Sequence, residues 1–280
     1  MELGIIGLPG SGKTTVFNAV TRGHADISPS GQAYLKPNLG VAKVLDARLG
    51  VLADMFHPQR IVPAEVRFVD VPGAPDGLGR NQSIGGEYLS AMQRSDALVL
   101  VVRAFDSPTV PHMEGTVDPY RDIATMTLEL AFSDLAILER RVERLNSDLK
   151  SAKSHLRESA NREISLLERL KAGLSKDIPV REQQLDPDEL HLINGYQFLT
   201  AKPMLVILNI GENQLPDTAS LEEDLNQRLS RPGVQSATMC GIMEEELGHM
   251  ATEDENEFRK HLKAGESGAL KMIRLSYHLL

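Results

Sequence analysis

The run Gly7-Leu8-Pro9-Gly10-Ser11-Gly12-Lys13-Thr14 has the G-x-x-x-x-G-K-T spacing that wraps a polyphosphate. Glycine lets the backbone turn tightly, so that successive N–H groups of Gly10, Ser11 and Gly12 face phosphate oxygens. Lys13 offers a positive charge to the β- and γ-phosphates and is the first candidate catalytic group. Thr14 offers a hydroxyl to Mg²⁺, and Thr15 is placed to reach the α-phosphate. A glycine-rich turn alone can carry this pattern. Here it lies between a buried-strand pattern, Leu3 to Leu8, and a helix pattern, Lys13 to Thr21, whose N-terminal dipole also favours an anion.

Two more strand ends carry polar residues. Asp70-Val71-Pro72-Gly73 follows the strand pattern Ile61–Val69. Asp70 is a candidate Mg²⁺ ligand, direct or through water, and the Gly73 N–H is a candidate contact to the γ-phosphate. The same tetrapeptide is also an ordinary turn. Ala74 follows it, where a glutamine would orient a water, so any water-positioning group must come from elsewhere. Asn209-Ile210-Gly211-Glu212 follows the strand pattern Met204–Leu208. Guanine readers place Asn-Lys-x-Asp there. Ile210 and Glu212 stand in for the Lys and the Asp, which weakens guanine selection; a plain strand-end turn is the competing reading. Cys240-Gly241, after the next strand, places backbone N–H groups near the expected base edge.

These loops need strands to hold them. Ala97–Val102 (ALVLVV) is a fully buried strand pattern, and Val41–Leu45 and Val234–Met239 are further candidates. Asp46 reads as a helix N-cap ahead of Leu49, Leu52, Ala53 and Phe56 at helical spacing. Asp186-Pro187-Asp188-Glu189 is a second helix start. Strands alternating with helices predict an α/β fold of the P-loop NTPase type, a mostly parallel sheet with helices on both faces. From about Pro119 to Leu174 the chain is almost free of Gly and Pro. Leu135, Leu138, Val142, Leu145, Leu149, Ala152 and Leu156 step by threes and fours, and Ile164, Leu167, Leu170 and Leu174 repeat this after a polar break at Arg157–Arg162. The pattern predicts an inserted helical coiled-coil hairpin over 119–199, within a nucleotide-binding domain of 1–118 and 200–280.

Composition limits the alternatives. The chain has 280 residues, 41% of them hydrophobic, enough for a substantial core. A net charge of −9, no Trp and 4% aromatic residues argue against broad nucleic-acid binding and base stacking. The single cysteine excludes an internal disulfide and fits a cytoplasmic setting, though a disulfide-free secreted protein would count the same. No apolar run is long enough to span a membrane, and no targeting segment is expected from Met1-Glu2-Leu3.

The three motifs, their order and the insertion resemble the YchF subfamily of Obg-type P-loop proteins, the Obg-like ATPases. The likeness extends to Lys36-Pro37-Asn38-Leu39-Gly40-Val41, Asp46-Ala47-Arg48-Leu49, Ile61-Val62-Pro63-Ala64, Val101-Val102-Arg103-Ala104-Phe105, Leu199-Thr200-Ala201-Lys202-Pro203 and Glu266-Ser267-Gly268. The resemblance implies a coiled-coil insertion, a preference for ATP over GTP, ribosome association, and a C-terminal TGS domain beyond the terminal helix expected over 263–280. It also implies a catalytic role for His112 in place of the missing glutamine; a solvated loop histidine is the alternative. Three departures stand out. Tyr34 occupies the place of a Mg²⁺-binding Thr, the loop from Ala74 to Glu87 is short, and the chain ends near where the TGS domain would begin.

The expected function is slow, Mg²⁺-dependent hydrolysis of ATP, or of GTP, as a regulatory switch in translation or stress response. A nucleotide-gated binding module with negligible turnover and a true GTPase are the competing readings. Arg140, Arg141, Arg144, Lys150, Lys153, Arg157 and Arg162 offer the hairpin a docking surface for the ribosome or RNA, or else form a solvated helix face. Oligomeric state is left open.

Overall fold

A computed structural model of the chain describes residues 1–23, 25, 37–70, 85–112, 114–150, 154–262 and 264–279. Six strands form one sheet: β1 (Glu2–Ile6), β2 (Asn38–Lys43), β3 (Glu65–Asp70), β4 (Ala97–Arg103), β5 (Met204–Asn209) and β6 (Val234–Met239). Their order is β2-β3-β1-β4-β5-β6, parallel throughout except for β2, which runs antiparallel to β3 at the edge. The central strands are covered on both faces, which is why ALVLVV and MLVIL are unbroken apolar runs.

Helices α1 (Lys13–Thr21) and α10 (Gly268–His278) cover one face. Val16, Phe17, Val20, Met272 and Ile273 pack there on Leu3, Ile5, Val99 and Ile207. The other face meets α3 (Gly85–Arg94), α4 (Pro119–Leu149) and α7 (Thr218–Arg228) through Met92, Ile123, Met126, Leu130 and Leu225. The P-loop fold expected from the alternating pattern is therefore present. The helix α2 (Ala47–Phe56) is capped by Asp46, whose Oδ1 accepts from the Arg48 N–H at 2.9 Å. Its apolar spacing does not become core, because no residue of α2 is buried.

The hairpin differs in register from expectation. α4 has 31 residues, and its first half belongs to the sheet core through Ile123, Met126 and Leu130. Only its second half, with Leu138, Val142 and Leu145, packs against Leu166, Leu167, Leu170 and Leu174 of α5 (Ser154–Leu174). α4 ends at Leu149 and α5 begins at Ser154, so the polar stretch Arg157–Arg162 is a helical part of α5; Ala152 lies outside the described residues. A polar stretch near a hairpin end stays helical because it has no partner face to satisfy.

Asp134 fixes the hairpin base. It is fully buried and accepts from the Leu199 N–H (2.8 Å), the Thr200 N–H (2.8 Å) and Thr200 Oγ1 (2.7 Å). Helix α6 (Pro187–Ile193) starts with the reciprocal Asp186–Glu189 cap that the sequence indicated. α8 (Gly241–Leu247) and α9 (Thr252–His261) lead into α10. Among the described residues, no helix is long and apolar enough to cross a membrane.

Candidate functional site

The site lies where β1, β3, β4 and β5 end. Gly10 and Gly12 have φ of +75° and +89°, in the left-handed region where side chains are strained. Gly12 has a second constraint: a Cβ there would stand 2.2 Å from Asn209 Nδ2. This contact is part of a bridge. Asn209 Nδ2 donates to the Ser11 carbonyl at 3.0 Å, and Asn209 Oδ1 accepts from the Gly241 N–H at 3.0 Å. One amide therefore joins the phosphate loop, the Asn209–Glu212 turn and the Cys240-Gly241 turn.

Lys13 is 7% exposed, and its Nζ donates to the carbonyls of Gly7 (2.9 Å) and Leu8 (3.1 Å). Burial lowers its pKa from 10.5 to about 8, against the opposing pull of Asp70. Thr14 Oγ1 donates to Asp70 Oδ2 at 2.8 Å, and Asn38 Nδ2 donates to the same oxygen at 3.2 Å. The β2–β3 register sets Asn38 directly opposite Asp70. Asp70 Oδ1 is buried and has no hydrogen-bond partner among the described residues. An orphaned carboxylate oxygen beside a threonine hydroxyl is a donor set that suits Mg²⁺. Burial and the Asp70 carboxylate push the Tyr88 phenol well up, so this neighbour stays neutral.

The remaining expected residues divide. Ser11 and Thr15 are buried in the loop and the first turn of α1. Ile210 is 2% exposed and sits in the core with Leu208 and Cys240, so only its backbone is left for a ligand. Glu212 is exposed at the start of a short 3₁₀ turn. Cys240 is buried ahead of α8, leaving the Gly241 N–H as the group that its turn contributes to the bridge. Gly73, Ala74 and Tyr34 lie outside the described residues.

His112 is not a solvated loop residue. Its side chain is 7% exposed, and Nε2 lies 2.8 Å from Asp122 Oδ2 in the first turn of α4. Its Nδ1 accepts from the Glu114 N–H at 3.2 Å. Both ring nitrogens are thus engaged, with Nε2 carrying the proton that Asp122 accepts. Arg121 completes the group, donating to Asp122 Oδ1 (3.0 Å) and to the Thr116 carbonyl (2.7 Å). Two residues before His112, Val110 packs on the phosphate loop: a Cβ on Gly10 would lie 3.1 Å from its Cγ1.

Sequence reasoning had assigned no role to Asn38, Asp122 or Phe105. Phe105 stands between the phosphate loop and the Asn209 turn, with its Cε1 4.0 Å from a Cβ position on Gly12 and its Cβ 3.4 Å from one on Gly211. An Asp ten residues after the loop histidine, in the first turn of a helix with a strong N-cap, was the signal for Asp122.

Comparison with known proteins fits this arrangement. The family model "50S ribosome-binding GTPase" matches residues 2–129. A ribosome-binding ATPase YchF of Haemophilus ducreyi is 34% identical over 279 residues, covering 100% of this chain and 76% of that protein. The chain belongs to the YchF family. The YchF of Bacillus subtilis, also named a ribosome-binding ATPase, is 31% identical over 282 residues, again covering 100% of this chain and 76% of the relative. The solved YchF GTPase of Schizosaccharomyces pombe superposes with a TM-score of 0.81 at 28% identity, covering 100% of this chain and 75% of that one. The YchF fold is thus common to both, while the relatives' names differ over ATP and GTP.

Proposed function

We propose that this chain is a Mg²⁺-dependent nucleoside triphosphatase that prefers ATP, turns it over slowly, and works as a regulatory switch with the ribosome as partner, in translation or stress response within the cytoplasm. The observation that carries the reading is the convergence at the phosphate loop: Lys13 on the loop carbonyls, Thr14 on Asp70, and Asn209 bridging Ser11 to Gly241. Lys13 and the backbone N–H groups of Gly10, Ser11 and Gly12 bind phosphates, while Thr14 and Asp70 hold Mg²⁺. When bound, the metal neutralises charge on the phosphate oxygens.

Support for ATP comes from Glu212 in place of the guanine-reading Asp and from relatives named ATPases. The family model and the solved relative are called GTPases, so GTP remains the second candidate. Slow turnover rests on Ala74 and Tyr34 and on the engaged state of His112. That engagement also favours a second reading, a nucleotide-gated binding module with negligible hydrolysis.

The helices between β4 and β5 form the partner-binding arm in this account. Part of its basic set is used internally: Arg141 donates to Glu163 at 2.8 Å, and Arg162 pairs with Glu158 at 2.5 Å. Arg144 and Lys150 are exposed and suit an RNA or protein contact.

The test is steady-state hydrolysis of Mg-ATP and Mg-GTP by the wild type and Lys13→Ala. Turnover of ATP that Lys13→Ala abolishes supports the enzyme. Tight ATP binding without turnover supports the binding module. Co-sedimentation with ribosomes that ignores nucleotide state would count against a switch.

A further inference from the structure

Arg103 ends β4, directly opposite Asn209 in the β4–β5 register. It is 3% exposed. Its Nε donates to the Phe105 carbonyl at 3.0 Å, and its guanidinium carbon lies 4.8 Å from the centre of the Phe105 ring. Nη1 is shut away from solvent with no hydrogen-bond partner, and Arg103 forms no ion pair among the described residues. The orphaned nitrogen lies against the phosphate loop, 3.6 Å from the place a Cβ on Gly10 would take. Arg103 also lines a cavity of about 850 Å³, shared with His112, Tyr120 and Asp224.

A buried cation without a counter-charge is costly, because one carbonyl and one ring replace only part of its lost hydration. We propose that Arg103 is a phosphate-recognising residue, supplying a second positive charge to a nucleoside polyphosphate from the β4 side of the loop. This rests on the nucleotide reading above and adds a residue to it. Guanidinium is planar and matches phosphate oxygens geometrically. The competing role is a structural brace that holds Phe105 and Gly10 in place.

The two roles predict opposite effects on the ligand-free protein. Arg103→Met keeps the stem and removes the charge. Phosphate recognition predicts that its ligand-free melting temperature stays the same or rises, while Mg-ATP and ADP affinities fall about tenfold or more and AMP affinity changes little. Arg103→Lys keeps the charge and regains part of the loss. The proposal is overturned if Arg103→Met binds ATP like the wild type. It is equally overturned if the variant melts well below the wild type or fails to fold, or if it loses AMP as much as ATP. Lys13→Ala runs alongside. If the wild type binds no ATP, or Lys13→Ala binds as well as the wild type, the nucleotide reading itself fails; if both controls behave and only Arg103→Met is silent, Arg103 alone is misassigned.

Discussion

Thr14 Oγ1 donates to Asp70 Oδ2 at 2.8 Å, joining the start of α1 to the end of β3 across 56 positions of sequence. The other Asp70 oxygen has no partner among the described residues. Thr14 and Asp70 are the residues that would hold a divalent ion, the hydroxyl through an oxygen lone pair and the carboxylate through its charge. Asp70→Asn keeps the shape and removes the charge. Its ATP affinity should fall by about tenfold or more with Mg²⁺ present and match the wild type in EDTA, as read by parallel titrations. Equal loss in both buffers would mean that Asp70 supports the loop without holding metal.

Lys13 makes ATP binding sensitive to alkali. Burial lowers its ligand-free pKa to about 8, and phosphates stabilise the ammonium, raising its pKa in the complex. The ligand therefore binds the protonated form, and affinity is lost as pH rises through about 8. Fluorescent-nucleotide titrations from neutral to alkaline pH should show a flat region, then a decline approaching tenfold per pH unit in order of magnitude. Lys13→Ala should show no such decline.

His112 is held by the arm. Its Nε2 bond to Asp122 links the loop after β4 to the first turn of α4, the helix that continues into the hairpin. If His112 serves hydrolysis, it must leave this bond to orient a water. Asp122→Asn should raise basal ATP hydrolysis several-fold with ATP affinity unchanged, and His112→Ala in that background should cancel the gain. A rise that survives His112→Ala would separate the bond from turnover.

The C-terminal helices depend on one buried pair. Arg259 Nη1 and Nη2 donate to Glu244 Oε1 (2.9 Å) and Oε2 (2.7 Å), and Ser267 Oγ (2.8 Å) and the N–H groups of Gly268 (2.9 Å) and Ala269 (3.4 Å) complete the set. Arg259→Met strands the carboxylate and should cost roughly 3–5 kcal/mol in urea unfolding. Replacing both residues by Met should recover much of the loss. Burial pushes the Glu244 carboxyl up, yet Arg259 and the N–H donors hold it below its ordinary 4.5. Its folded value is depressed, so its stabilisation is present above pH 4.5 and is lost as pH falls below it.

Much of this was legible locally. The strand–loop–helix context placed Lys13 and Thr14, and α1 spans the residues that its pattern marked. β4 and β5 follow from apolar runs because a doubly covered sheet needs no alternation. The polar break in the seam at Arg157–Arg162 lies inside a helix, because polarity marks exposure, not the end of a helix. The helical spacing of α2 held, but periodicity shows only that a face exists, and no residue of α2 is buried. The Asn209 bridge, the Asn38–Asp70 register and the Asp122–His112 bond join residues that only the folded sheet brings together.

The most direct measurement is calorimetric titration of the purified chain with Mg-ATP and Mg-GTP, for the wild type and Lys13→Ala. Saturable ATP binding, tighter than GTP binding and lost in Lys13→Ala, is the expected result. Tighter binding of GTP, or ATP binding that Lys13→Ala leaves intact, would contradict it.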